Sequence, residues 1–270
     1  MVRKIVINNR KGGVGKTTVA SHLASGLTLA GYNVCIVDTD PQGHVAVAFG
    51  MKKESGLYHI LCDEDATFED VVRQVDPVRY SPPGHVPHTP LYILPGMKNT
   101  VSIVNENMNP FAFDQMLNAL AERYNLDFII VDTGPTASLF DGSVFLAAHY
   151  FLYVSEMANL SFDGLRESLK DLRKLNLQNK QYRSWETQLM GVIPNKTRFQ
   201  TISQRAQAEI LGKNKDFHGL IWEPIKLGSV WEDAMNRGQM VYSYAPDGVE
   251  AAKAYRLVQH VLETVGAHES

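Results

Sequence analysis

The stretch richest in chemistry is Arg10–Thr18, RKGGVGKTT, which follows a short apolar run. Holding a phosphate needs backbone N–H groups that converge on an anion, and glycines allow the close approach and unusual φ/ψ this requires. It also needs a helix that starts at the spot, because the helix dipole and free N–H groups favour negative charge. Gly12, Gly13 and Gly15, with Val14 among them, meet the first demand, and a helix opening near Lys16 meets the second. Lys16 is then placed to reach the β- and γ-phosphates of a nucleoside triphosphate, and the Thr17 hydroxyl to ligate Mg2+, with Thr18 following in the helix. The strict pattern G-x-x-x-x-G-K-[ST] fails at one place. Arg10 stands where its first glycine belongs, and Lys11 puts a second lysine inside the loop.

Two further motifs carry carboxylates. VDTDPQG, Val37–Gly43, holds Asp38 and Asp40, and FIIVDTGPT, Phe128–Thr136, ends an apolar run in Asp132. Carboxylates at the C-terminal edge of strands beside a phosphate loop face the metal and the terminal phosphate. Asp132 reads as the strand-terminal carboxylate that holds Mg2+ directly or through water. Asp38 and Asp40 also have a plainer reading, as caps of the turn or helix that follows.

Short apolar runs alternate with helical patterns, which predicts an α/β fold, a mostly parallel sheet flanked by helices on both faces. Strands are expected at Ile5–Asn8, Val34–Val37, Leu91–Leu94, Phe128–Val131, Phe151–Val154 and Leu189–Ile193. Helices are expected from Lys16 to Ala30, closed by Gly31, and over Phe113–Tyr124, Leu160–Leu175 and Thr201–Leu211. A last helix, Val249–Val265, carries Val249, Ala252, Tyr255, Val258, Val261 and Leu262 on its apolar face. Asp76–Pro90, rich in Pro and His, reads as a surface loop, so 1–270 reads as one domain. His85 and His88 there read as solvated loop residues.

Composition sets limits. A chain of 270 residues, 44% hydrophobic and 20% charged, can bury a sizeable core. A net charge of −3 gives no overall pull toward nucleic acid or anionic lipid, so such contacts need a local patch. Cys35 and Cys62 have no metal-ligand spacing and make no disulfide framework, which fits a reducing compartment. The longest apolar stretch, around Val144–Val154, is short for a membrane span and is interrupted by His149. The N-terminus enters a strand without a signal-peptide pattern, so a cytoplasmic protein is the expectation.

Lys11–Thr17, KGGVGKT, resembles the loop of the deviant Walker A ATPases of the ParA/MinD type, a P-loop NTPase group. DPQG, VDTGP, GVIPNKTR and WEDAMNRGQMVYSYAPDGVEAAKAY resemble later stretches of the family, so the similarity runs over nearly the whole chain. The resemblance implies that Lys11 crosses a dimer interface to the ATP of the second subunit, where a cation stabilises charge developing at the γ-phosphate. Lys11 staying within its own subunit, or in solvent, is the alternative. It further implies that Asp40 positions the attacking water, that Asp38 supports the metal's outer shell, and that Asn195 and Pro224 contact adenine. A turn-forming Asn195 is the competing reading. Three departures stand out: Gly134 where the family more often has proline, Glu223 in place of an apolar residue, and Val230 at a DNA-contacting arginine.

NNRKGG and DPQG are closer to the partition ATPases than to the MinD division-site group. The acidic tail HVLETVGAHES has no aromatic face, which argues against a membrane-binding helix. The nitrogenase iron protein needs cluster-ligating cysteines where this chain has none. Dethiobiotin synthetase lacks the second lysine. The resemblance therefore implies an ATP- and Mg-dependent dimerising ATPase for partition or positioning of DNA or another large cargo. It would act as an ATP-sandwiched homodimer on non-specific DNA, near the nucleoid, slow alone and stimulated by an adaptor protein. A MinD-like spatial regulator acting through a protein partner without DNA is the alternative, and a metabolic ATPase stands third. The basic candidates for DNA are Lys196, Arg198, Arg205, Lys213 and Lys215, with Lys226 and Arg237; a solvated helix face is the plainer reading.

Overall fold

The apolar runs become strands. The computed structural model describes residues 1–9, 11–106, 109–135, 139–156, 162–196, 219–226 and 228–267. The strands are β1 (Arg3–Asn8), β2 (Val34–Asp38), β3 (Arg73–Gln74), β4 (Leu91–Leu94), β5 (Phe128–Asp132), β6 (Tyr150–Glu156) and β7 (Gln188–Asn195). They form one seven-stranded sheet in the order β3-β4-β2-β5-β1-β6-β7. Every pairing is parallel except β3 with β4. β2 (VCIVD) and β5 (FIIVD) are buried at every residue, as unbroken apolar runs in the middle of a parallel sheet must be.

Alternate residues feed two cores. Ile5, Ile7, Ile36, Ile130 and Leu152 pack on one face, while Val6, Val37, Ile129, Val131 and Phe151 pack on the other. The first face is covered by α1 (Lys16–Leu29), with α2 (His44–Ala48) beside it. On the second face lie α3 (Gly56–Cys62), α4 (Phe68–Val71), α5 (Ile103–Glu106), α6 (Ala112–Tyr124) and α7 (Leu139–Ala147). α8 (Phe162–Asn179) leads to β7, and α9 (Ser229–Asn236), α10 (Val241–Tyr244) and α11 (Val249–Ala267) close the chain. α6 buries Phe113, Met116, Leu117, Leu120 and Ala121, a helical stripe, and ends at Asn125 in the left-handed region.

α1 lies between the sheet and α11, which its small residues permit. A Cβ on Gly26 would stand 2.4 Å from Tyr242 Oη and 2.5 Å from Val258 Cγ2. Glycine inside a helix costs about 1 kcal/mol relative to alanine, and this close approach explains why it is there.

One expectation needs correction. The buried stripe of α11 is Ala251, Ala254, Leu257, Val258, Val261 and Val265, whereas Val249 is 67% exposed and Ala252 also faces solvent. Alanines are selected there because α11 lies close against α1. The Asp76–Pro90 segment lies at the surface as expected, with Tyr80 and Ser81 within it buried. Strand β3, two residues long, was not expected at all, and the apolar stretch at Val144–Val154 is divided between α7 and β6. The helix predicted at Thr201–Leu211 lies outside the described residues. Among the described residues, no helix is long and apolar enough to cross a membrane.

Candidate functional site

The sheet topology brings the motifs together. β5 lies between β1 and β2, with Ile7 and Asp38 both in register with Asp132. From β1 the chain moves to β2 on one side, and after β5 it crosses to β6 on the other. The loop after β1 therefore sits where the connections diverge, the place where open α/β sheets bind ligands.

That loop is held by its neighbours. Asn9 Nδ2 donates to Val154 O at 2.6 Å, and Lys11 N donates to Asn9 Oδ1 at 2.8 Å. Gly15 caps α1 in a left-handed conformation (φ 95°), and a Cβ on it would lie 2.1 Å from Asn195 Nδ2. Only glycine fits there. Lys16 is buried, and its Nζ donates to Lys11 O at 3.2 Å across the loop. Burial lowers the Lys16 pKa, while the nearby Asp132, Asp40 and Asp141 charges oppose that shift.

The aspartates converge on the same end of the sheet. Thr17 Oγ1 donates to Asp132 Oδ2 at 2.6 Å, and Asp132 Oδ1 is buried with no hydrogen-bond partner among the described residues. Burial raises the Asp132 carboxyl above its ordinary range and Asp40 adds to this, whereas the Thr17 hydroxyl and Lys16 oppose it. A buried, unpaired oxygen beside a threonine hydroxyl is the donor chemistry that a hard cation such as Mg2+ takes. Asp38 is fully buried, and its two oxygens accept from Asp40 N at 2.9 Å and Val45 N at 3.0 Å. Its carboxyl is also raised, by burial first and then by Asp132. This anchoring of the Asp40 turn and of α2 competes with the metal-supporting part expected of Asp38. Asp40 lines the cavity described below, and its Oδ1 accepts from Gln42 N at 2.9 Å.

A cavity of about 470 Å³ opens over the loop, within the range of ligand pockets. Its floor is Gly12–Val19, one side is Asp40, Gln42 and His44, and Asn195, Lys196, Ile225 and Lys226 form the other. Trp231, Glu232, Met235 and Asn236, on one face of α9, line it too. Pro224 lies one residue outside the lining. Ile225 N donates to Pro194 O at 2.8 Å, pinning the segment to the end of β7, and Ile225 and Lys226, not Pro224, line the cavity there. Asn195 does line it, but Nδ2 donates to Val14 O at 2.7 Å and Oδ1 accepts from Lys196 N at 2.8 Å. Its amide clamps the phosphate loop.

Lys11 lies beside its own sheet, with Nζ 3.1 Å from Glu156 Oε2; Lys196 Nζ lies 3.8 Å from the other oxygen. Among the DNA candidates, Lys226 lines the cavity and the Arg237 guanidinium lies over Tyr244. Arg198, Arg205, Lys213 and Lys215 fall outside the described residues.

The α9 wall escaped the sequence reading. Its signal is the Trp231/Met235 and Glu232/Asn236 spacing of one helix face, which by itself reads as ordinary amphipathicity. His22 ties this wall to the floor. Its Nδ1 lies 2.7 Å from Thr18 O and its Nε2 accepts from Val241 N at 3.0 Å, while the ring meets Trp231 edge-on at 4.7 Å. A carbonyl only accepts, so Nδ1 carries the proton and the ring is neutral. Burial depresses the His22 pKa to about 4. The unfolded chain takes up this proton near pH ~6.5 and the folded one only near its depressed value, so the stabilisation is complete above ~6.5 and lost as pH falls. His22→Gln is expected to be less stable than wild type at neutral pH, with the gap closing by up to roughly 3 kcal/mol as pH drops toward ~4. Urea unfolding of both proteins across that range checks it, because carboxylates common to both cancel. A gap independent of pH would contradict it.

A protein-family model described as "AAA domain" matches residues 2–184. The chain is 27% identical over 269 residues to the chromosome-partitioning ATPase Soj of Thermus thermophilus, covering 98% of this chain and 97% of that one. Among solved structures, a putative plasmid partition protein of Borrelia burgdorferi bound to AMPPNP superposes with a TM-score of 0.73 at 18% identity, covering 99% of this chain and 100% of that one. The septum site-determining protein MinD of Pyrococcus horikoshii, complexed with Mg-ADP, gives a TM-score of 0.70 at 22% identity over 99% of this chain and 98% of that one.

Proposed function

This chain belongs to the AAA domain family and is a ParA-type ATPase of partition or positioning in the ParA/MinD group, and from that premise we propose how its residues run the cycle. ATP is the nucleotide and Mg2+ the metal. The observation that carries the proposal is the convergence of Lys16, Thr17, Asp132 and Asp40 at one strand edge, with a second lysine, Lys11, in the same loop.

In this reading the N–H groups of Gly12–Thr18 and the Lys16 ammonium hold the β- and γ-phosphates. Thr17 and Asp132 would hold Mg2+, which supplies charge neutralisation to the phosphates when bound. Asp40, anchored through Asp38, orients a water toward the terminal phosphate. The Glu156 contact keeps Lys11 close to its own loop in the monomer, and in an ATP-bound dimer Lys11 of each copy reaches the phosphate of the other. Residues 1–270 act as one domain, since one sheet carries both cores. The protein is cytoplasmic, with non-specific DNA as its track and an adaptor protein as its stimulator. The sequence-level basis for DNA is the cationic run Lys196–Lys215, and its signature would be affinity that falls steeply with salt.

Lys11→Ala tests the cycle. It should bind ATP normally, lose at least about tenfold in turnover as the trans cation is removed, and dimerise weakly. Calorimetry, turnover and sedimentation on one preparation check it. Full turnover with normal ATP dimers would remove the trans role.

A further inference from the structure

The edge of the sheet away from the phosphate loop carries a surface that the ATPase cycle does not use. β7 runs from Gln188 to Asn195, and Asn195 lines the cavity, so the segment entering β7 lies roughly 20 Å away at the other end of the strand. α8 brings the chain to that end. Among its described side chains, Leu172 and Leu175 pack on the core. Lys170, Arg173, Lys174 and Leu177 recur at the spacing of the opposite face and are exposed, with Lys180 just past the helix end. None of the four cations forms an ion pair with a described residue, and the described carboxylates nearby are Asp171 on the flank and Glu186 in the loop that follows. The chain as a whole carries a net charge of −3, so this stripe runs against the overall sign.

The stripe ends in an open groove lined by Leu177, Asn179, Lys180 and Tyr182. Leu177 is 76% exposed and Tyr182 60% exposed, and the Tyr182 ring lies 5.5 Å from that of Phe111. Asn179 is buried, and its Nδ2 has no hydrogen-bond partner among the described residues. A buried donor without an acceptor is rare in folded proteins and asks for one. The groove is also fixed in shape. Asn176 exchanges hydrogen bonds with Thr187 at 2.8 and 2.9 Å, and Arg183 Nη1 donates to Leu146 O at 3.0 Å and Ala148 O at 3.2 Å. A surface held this way loses little freedom on binding.

Four cations call for carboxylates or phosphates. The two large apolar side chains decide between these, because a phosphate backbone offers them nothing to pack against and a protein segment does. We propose that the α8 stripe and its terminal groove form a docking surface for an acidic segment of a partner protein. Carboxylates of the segment face Lys170, Arg173, Lys174 and Lys180, an apolar side chain sits between Leu177 and Tyr182, and a backbone carbonyl accepts from Asn179. The surface lies at the opposite end of β7 from the cavity, so the proposal holds whether or not the cavity takes ATP, and the docking is independent of nucleotide.

The test uses the full chain and fluorescence anisotropy at low salt. The probes are a synthetic peptide of Glu and Asp with leucines at helical spacing, the same peptide with serine for leucine, a short DNA duplex, and vesicles of phosphatidylcholine with phosphatidylserine. Wild type should bind the leucine peptide about tenfold tighter than the serine peptide, and equally with or without ATP and Mg2+. The triple variant Lys170→Glu, Arg173→Glu, Lys174→Glu should lose at least about tenfold for both peptides. Leu177→Ser should remove only the preference for leucine. All the changed side chains are exposed, and thermal unfolding of each variant checks that the fold is kept. No binding of the leucine peptide by wild type overturns the proposal, as does full affinity in the triple variant. Tighter binding of DNA or of the vesicles than of the peptide, lost in the triple variant, overturns it in favour of a phosphate surface.

Discussion

Lys16→Ala loses ATP by about a hundredfold or more in Kd, roughly 3 kcal/mol, the largest binding effect expected of any single change in this protein. The lysine is buried beneath the cavity, with its ammonium already drawn across the loop to Lys11 O. A cation there meets two phosphate groups in a partly dehydrated setting, where charge-assisted bonds are strongest. The free protein should survive the change, because the loop keeps its other anchors, Asn9 to Lys11 N and Asn195 to Val14 O. Calorimetric titration beside a thermal unfolding curve separates lost affinity from lost folding. An ATP Kd within about threefold of wild type would mean that the backbone cradle alone supplies the binding.

Asp40→Ala should do the reverse: near-normal ATP affinity, a long-lived ATP dimer, and turnover reduced by at least about tenfold. The protein's task in phosphoryl transfer is to place the nucleophile and stabilise charge, so losing the water-orienting carboxylate harms the reaction more than the binding. A second job complicates the alanine, since Asp40 Oδ1 also accepts from Gln42 N. Asp40→Asn keeps that acceptor and removes only the charge. If Asp40 orients water, both variants should be slow. Slow Ala with fast Asn would assign the residue to the turn, and lost ATP affinity in both would make it part of the binding site. An adaptor should restore neither variant. The cycle would then stop in its bound state.

What could be read beforehand follows from which interactions are local. β2 and β5 are continuous apolar runs with strand-terminal aspartates, and the glycines and lysine of the loop act through backbone geometry and charge that neighbours in sequence supply. β3 has only two residues and exists because β4 offers an edge, so no periodicity marks it. The stripe of α11 was misplaced by half a face, because its packing on α1, where Val258 meets Gly26, is tertiary and buries Ala251 and Ala254. The resemblance gave Asn195 as a base contact, and its amide also bonds to a loop 181 residues earlier, which no local pattern could show. The α9 wall is the same kind of case. WEDAMN shows only a helix face, and the chain path that carries it over Thr18 is tertiary, fixed through His22.

The central claim is that ATP drives association of two copies, and sedimentation velocity of the wild-type chain addresses it most directly. Samples at one protein concentration would be run with Mg2+ alone, with ADP and Mg2+, and with a non-hydrolysable ATP analogue and Mg2+. The account predicts monomer in the first two and a species of twice the mass in the third, which then co-sediments with duplex DNA at low salt. A monomer in all three, with the analogue demonstrably bound, would contradict it.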